Sequence, residues 1–210
     1  GGARAAFEFR GEIVTVPAEK GDVRNLTGST GAHDRSPAWS PDGKSIAYFS
    51  DEGGEYRLHI RAADGKGEVK RHTLGGNGFY ERPVWSPDGR KIAYIDNSQS
   101  LYWIDLTSGN VEKVASEPIY GPTALATLRP AWSPDSKYIA YTLGNKAAYH
   151  TVYVHDLAAG KSTRVTDGLS DAIDPVFDAN GKYLYFLGST DAGPVNQWFA
   201  QSNNDMRPSR

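Results

Sequence analysis

The residues best suited to proton transfer or metal binding are five histidines, His33, His59, His72, His150 and His155. They are dispersed along the chain, and His150 and His155, five apart, project to opposite faces of a continuous strand. The ligand spacings of zinc sites are absent, so surface or edge histidines are expected rather than a metal centre. Asp51-Glu52 beside Gly53-Gly54 offers oxygen ligands, but the alternating pattern of a calcium loop is missing and a solvated hairpin loop is expected. No G-x-S-x-G, H-E-x-x-H or G-x-x-x-x-G-K-[ST] occurs, so neither a nucleophile elbow, a zinc helix nor a phosphate loop is encoded. No catalytic residue, cofactor or metal is therefore assigned. Asn25-Leu26-Thr27 has the form of a glycosylation acceptor, a triplet common by chance.

A denser set of charged and aromatic side chains lies in or beside four stretches, 28–35, 75–81, 117–128 and 167–173. They are His33, Asp34, Arg35, Phe79, Tyr80, Glu81, Arg82, Tyr120, Arg129, Asp171 and Asp174. Such residues could bind a polar ligand if one scaffold brought the four stretches together.

The scaffold is legible as a repeat. Trp-Ser-Pro-Asp-Gly stands at 39–43 and 85–89, Trp-Ser-Pro-Asp-Ser at 132–136 and a degraded Phe-Asp-Ala-Asn-Gly at 177–181, recurring about every 46 residues. Each is followed by an apolar echo: Ile46-Ala47-Tyr48, Ile92-Ala93-Tyr94, Ile139-Ala140-Tyr141 and Leu184-Tyr185-Phe186. Proline precedes each lead aromatic by two (Pro37, Pro83, Pro130, Pro175), which suits the first residue of a strand. In the motif, proline presets φ, aspartate suits the next position, and glycine takes the left-handed conformation that closes a hairpin. Further strands are predicted around Tyr102-Trp103-Ile104 and Val152-Tyr153-Val154, then across Gly- or Asn-bearing turns at 69–74, 111–114 and 162–166. Four antiparallel strands per repeat make the blade of a β-propeller, so the fold class is all-β. Helix is confined to short turns at most, near 119–128 and 194–201. The phase-locked Trp, Tyr and Phe are expected to be inter-blade core rather than a stacking platform for ligand.

Blades are expected at 1–27 (partial), 36–74, 82–115, 129–166 and 174–188 (partial), with 189–210 a loop or tail. That is about four and a half blades in one domain. Aligning Gly2 with the motif glycine at Gly43 leaves the first blade without its first strand but with strands at 4–9, 12–16 and 22–27. The last blade supplies 174–177 and 182–188. The single methionine is Met206, so the sequence is expected to continue upstream. Open blade edges are expected to pair with missing segments or a second copy.

The 210 residues carry 23 Lys+Arg, 25 Asp+Glu, a formal charge of −2 and no cysteine. Near-neutral charge disfavours nucleic-acid or anionic-membrane binding, and absence of cysteine removes thiolate and disulfide chemistry. No run of apolar residues is long enough to span a membrane as a helix. A cytoplasmic setting is expected, with the periplasm as the alternative.

On these residues a family resemblance stands out. The WSPDG repeats resemble TolB-like propellers, and 11–21, 165–172 and 189–196 look closely like tricorn protease and its bacterial homologues, over essentially the whole chain. Ser136 and the Phe-Asp-Ala-Asn-Gly segment depart from the pattern. The resemblance implies the later part of a seven-bladed second propeller, with PDZ and serine-protease domains elsewhere in the parent. It further implies that a channel rim formed by the four stretches gates or filters peptides on their way to a separate protease domain. The alternative is a stand-alone TolB-like propeller that binds a protein partner.

Overall fold

The computed structural model describes residues 3–76, 78–118, 128–146 and 149–189. Gly2, Tyr120 and the expected turns at 119–127 and 194–201 lie outside them. Among the described residues every regular element is a β-strand. The chain divides into two compact units, 1–113 and 114–210.

In the first unit, β1 (Arg4–Phe9), β2 (Glu12–Pro17) and β3 (Arg24–Asn25) form a three-stranded sheet. A four-stranded sheet follows from β4 (Asp34–Trp39), β5 (Ser45–Ser50), β6 (Arg57–Ala62) and β7 (Lys70–His72) in sequence order. The next comprises β8 (Tyr80–Trp85), β9 (Lys91–Asp96), β10 (Ser100–Asp105) and β11 (Val111–Ser116), the last crossing the unit boundary. The second unit holds β12 (Ala131–Trp132), β13 (Tyr138–Gly144), β14 (His150–Asp156) and β15 (Lys161–Arg164), then a pair, β16 (Ala172–Phe177) and β17 (Leu184–Gly188). Every pairing with a defined register is antiparallel. Adjacent blades meet along their first strands, β4 against β8 in one unit and β12 against β16 in the other.

The apolar echo explains this stacking. Strand side chains alternate between faces, and in β5 Ile46 and Tyr48 join Ile13 and Leu26 of the preceding sheet. Ala47 and Phe49 point the other way, into a core with Leu58, Tyr80, Ile92, Tyr94 and Ile104. Both faces are buried, so the strand reads as a continuous apolar run. Tyr94 is the keystone of the second core: its ring stacks on Tyr102 at 5.4 Å and meets Tyr80 edge-on at 5.5 Å. Its hydroxyl accepts the Gly75 amide at 3.0 Å and donates to the Gly75 carbonyl at 3.2 Å. Burial drives its ionisation far above the ordinary tyrosine range. Of the lead aromatics, Trp39 packs on the first core and Trp85 on the second, each partly exposed. The Trp85 indole N–H donates to the Ala38 carbonyl at 3.1 Å, tying one blade's first strand to the next.

The motif serine and aspartate latch the hairpin. Ser86 Oγ accepts the Lys91 amide at 2.9 Å and donates to Asp88 Oδ1 at 2.6 Å, and Asp88 accepts the Arg90 amide at 3.0 Å. Ser40 with Asp42 and Ser133 with Asp135 repeat the arrangement at 2.7 and 2.6 Å. The Ser40 hydroxyl and the Lys44 amide hold Asp42 below the usual carboxylate range. Both departures from the motif keep its geometry. Ser136 adopts φ +60°, matching +69° at Gly43 and +68° at Gly89. In the degraded copy Asp178 replaces the serine, and its own carboxylate accepts the Tyr183 amide at 2.8 Å.

Three expectations are corrected. Pro37, Pro83 and Pro175 do not begin strands: each lies inside one, directly after a residue with positive φ (Ser36 +54°, Arg82 +55°, Asp174 +52°). The register shifts there, three steps from Arg35 to Ala38 facing two from Phe49 to Ala47, so one extra residue bulges from the ladder and proline's missing N–H costs no bond. Only Pro130 stands just ahead of its strand. His59 and His155 are buried, not surface histidines. The outer strands of the early blades are shorter than predicted, Arg24–Asn25 and Lys70–His72.

Tyr94→Phe keeps the ring but strands both Gly75 groups, and should cost about 1–3 kcal/mol in denaturant melts. Trp85→Ala should cost roughly 3 kcal/mol, the low end for a large aromatic because the indole is partly exposed. A loss below ~1 kcal/mol for Tyr94→Phe would show that the Gly75 bonds add little, and for Trp85→Ala would remove the indole from the inter-blade core.

Candidate functional site

Antiparallel order places the connection entering each blade's first strand on the same side as the turn between its second and third strands. The Ser-Pro-Asp-Gly hairpins lie on the opposite side. In the first unit the former side therefore carries 28–34, 51–56, 75–76, 78–79 and 97–99; in the second, the corresponding side of its own blades carries 145–146, 149 and 165–171.

In the first unit these turns build one connected cluster. The His33 backbone amide donates to Asp51 Oδ1 at 2.6 Å, and His33 Nδ1 lies 2.7 Å from the Tyr56 hydroxyl. Tyr56 meets Phe79 edge-on, ring centroids 5.6 Å apart. The Arg35 guanidinium carbon sits 4.0 Å above the centre of the Phe79 ring, and Arg35 Nη2 is 3.5 Å from Glu81 Oε1. A groove of about 490 Å³ opens beside this cluster, bounded by Asp51, Tyr56, Thr73, Leu74 and Tyr80. Cation, aromatic faces and carboxylate in one patch suit recognition of a polar chain rather than bond cleavage.

Other predicted rim residues are placed differently. Asp34 is buried and takes the Ser29 hydroxyl at 2.6 Å. Tyr80 is buried in the core against Phe49 and Tyr94. Arg82 and Asp174 occupy the strained bulge position, a backbone state that costs a non-glycine residue about 1–2 kcal/mol. Tyr120 lies outside the described residues.

In the second unit Arg129 Nη1 stands 4.0 Å from Asp174 Oδ1, both exposed. Asp171 is buried and accepts both the His150 amide at 2.6 Å and His150 Nδ1 at 2.8 Å. The Asp171 hydrogen bond and charge, with Glu117 nearby, raise the His150 pKa despite the opposing effect of burial. Glu117 also accepts the Gly144 amide with both oxygens, each at 3.1 Å. Burial lowers the pKa of His59 and His72 instead. Among the described residues no three His, Asp or Glu converge as a metal-ligand set.

Sequence reasoning missed Tyr56 and treated Asp51 only as loop. Strand parity could have found both, since the turn after the second strand must lie on the rim side.

The family described as the tricorn protease second beta propeller domain matches residues 1–204. The chain belongs to this family. Among solved structures the tricorn protease is similar, at 19% identity over 90% of this chain and 18% of that one, with a TM-score of 0.74. TolB from Acinetobacter baumannii is similar at 22% identity over 83% of this chain and 42% of that one, TM-score 0.54. Porphyromonas gingivalis dipeptidyl peptidase 4 follows at 15% identity over 89% and 35%, TM-score 0.61. The chain thus spans under half the length of TolB and under a fifth of the tricorn protease chain. No curated protein matches the sequence. At these identities the structural likeness speaks for fold alone, and the fold is a β-propeller, with sheets of three and two strands at the ends of the described chain.

His150 gives this tricorn-type propeller a pH signature whose sign is fixed. A histidine whose folded pKa is raised contributes stability that is fully present below its unfolded value, ~6.5, and that is lost as pH rises through the folded pKa. His59 and His72, with lowered pKa, act in the opposite sense and cost stability as pH falls. The difference in stability between the protein and His150→Gln should therefore shrink from pH 5.5 to 8.5 in urea melts. A difference independent of pH would show that the His150–Asp171 contact does not depend on the imidazolium.

Proposed function

We propose that this chain is a noncatalytic propeller segment of a tricorn-like serine protease, and that its rim admits or filters peptides on their way to a protease domain elsewhere in the parent. Family membership over residues 1–204 carries this reading. The rim chemistry supports it: Arg35, Glu81, Phe79, Tyr56 and His33 offer charge and aromatic surface to an extended chain without presenting a nucleophile beside a base. Partners on this reading are the remaining blades, the PDZ and protease domains, and peptides. The chain by itself should hydrolyse no peptide substrate in an active-site-titratable manner.

A rim that filters peptides acts on length and bulk. Gly78, at φ +69° with open space around it, stands beside Phe79, so Gly78→Trp adds bulk to the rim at a cost of about 1–2 kcal/mol for the backbone. In the intact protein this change should slow hydrolysis of peptides of ten residues or more several-fold and leave a blocked dipeptide substrate unaffected. Equal slowing at all lengths, or none, would overturn the filtering role. An intact protein with no peptidase activity but with a stable protein partner would favour the stand-alone interaction propeller.

The outermost described sheets also expose apolar rings, Phe7 and Phe9 on β1, and Tyr185 and Phe186 on β17. We propose that neighbouring chain segments or a second copy cover them. Light scattering of the 210-residue chain over a concentration series should show association that Phe7→Ser/Phe9→Ser weakens, and a strictly monomeric chain would overturn association between copies.

A further inference from the structure

The repeat sets Arg35 and Glu81 apart from their counterparts in the second unit. Four residues before the lead aromatic, the first strand places a side chain opposite the second strand in three of the four repeats, while Leu128 stands ahead of its strand. In the second unit this position holds Leu128 and Ile173, both buried. In the first unit it holds Arg35 and Glu81, at equivalent ladder positions opposite Phe49 and Ile95. The site thus holds a buried aliphatic residue in two repeats and a charged residue in the two that pair within the first unit. A charged pair in a position that also accepts buried aliphatics departs from simple packing, and such departures concentrate where a function is served.

The guanidinium is also underused. The Arg35 side chain is only 15% exposed, and its Nε is buried with no partner among the described residues. Its one ion-pair partner among the described residues, Glu81, stands at 3.5 Å, well beyond the ~2.7–2.9 Å of a charge-assisted bond. The Phe79 ring supports the guanidinium from one side, a contact that uses none of its N–H donors. Phe79 is itself braced by Tyr56, which His33 holds through its hydroxyl. Asp51, another carboxylate of the cluster, is engaged by the His33 amide at 2.6 Å.

We propose that Arg35 is a carboxylate receptor at the rim, with Phe79 and Tyr56 as the apolar wall beside it and Glu81 as the competing anion that an incoming carboxylate displaces. The ligand is a carboxylate joined to an apolar or aromatic group. Peptides supply it in two ways, at the chain's C-terminus or as an Asp or Glu side chain. Only the owner of the carboxylate rests on the peptide-filter reading; the receptor chemistry stands on Arg35 and its neighbours.

The test is NMR titration of the protein with three probes: acetyl-Ala-Phe with a free carboxylate, its carboxamide, and acetyl-Ala-Glu-Phe carboxamide. At least one carboxylate probe should bind about ten-fold more tightly than acetyl-Ala-Phe carboxamide, the usual weight of a hydrogen bond to a charged group. Preference for the first probe assigns the C-terminus, and preference for the third assigns the acidic side chain. Arg35→Met should abolish the discrimination, and Glu81→Gln should strengthen binding of the carboxylate probes several-fold by removing the competitor. If Arg35→Met does not fold, Arg35→Lys keeps the charge but loses the fork and the stacking, and should lose most of the discrimination. Equal binding of acid and amide, no binding of any probe, or a Glu81→Gln variant that binds carboxylates less well would each overturn the proposal. Length filtering by the rim would survive all three outcomes, because it is read from hydrolysis rather than from carboxylate affinity.

Discussion

Strand β5 has no solvent face: Ile46 and Tyr48 enter the core shared with the sheet before it, while Ala47 and Phe49 enter the core shared with the sheet after it. A single blade would leave both of those faces in water, so it cannot be stable alone, and the stack becomes the unit of folding. Much else follows from this demand. The first strands must lie side by side, the lead tryptophan must reach across to its neighbour, and the turns on each side must gather at the same end. The cluster of Arg35, Phe79, Tyr56 and His33 exists because two blades with unlike loops are forced into register by a common core.

The same demand explains what was legible in the sequence. Alternation that buries both faces leaves an uninterrupted apolar echo, and a tight hairpin leaves Ser-Pro-Asp-Gly, so blades and most strands could be placed from those strings alone. The hairpin survives loss of its glycine at Ser136 and of its serine at Asp178 because what matters is an acceptor at one position and positive φ at another. The bulge was not legible, since proline two residues before an aromatic reads as a strand start. The rim was only half legible. Its charged residues were visible in the connections, but composition does not tell a solvent-facing aspartate from Asp34 or Asp171, each of which is buried because a nearby hydroxyl or imidazole satisfies it. Tyr56 was invisible for another reason: it sits in a turn whose side of the blade follows from strand parity, not from any motif.

Burial sorts the histidines into two behaviours. Burial lowers the pKa of His72, and of His59 even with Glu52 at 4.0 Å, whereas His150 is held against a carboxylate that is itself buried and its pKa is raised. The rim side of the second unit is thus fastened by the His150–Asp171 hydrogen bond, and the interior of the first by aromatic packing.

The extra residue at Ser36, Arg82 and Asp174 has a consequence for how such a protein can diversify. Each strand keeps one phase of inward and outward side chains on its hairpin side and the opposite phase on its rim side. The bulge is a frame shift within a single strand. Substitutions on the rim side are thereby read in a frame separate from the one that builds the core. A lineage could rewrite the ligand-facing half of a blade while the scaffold half went on specifying the same stack.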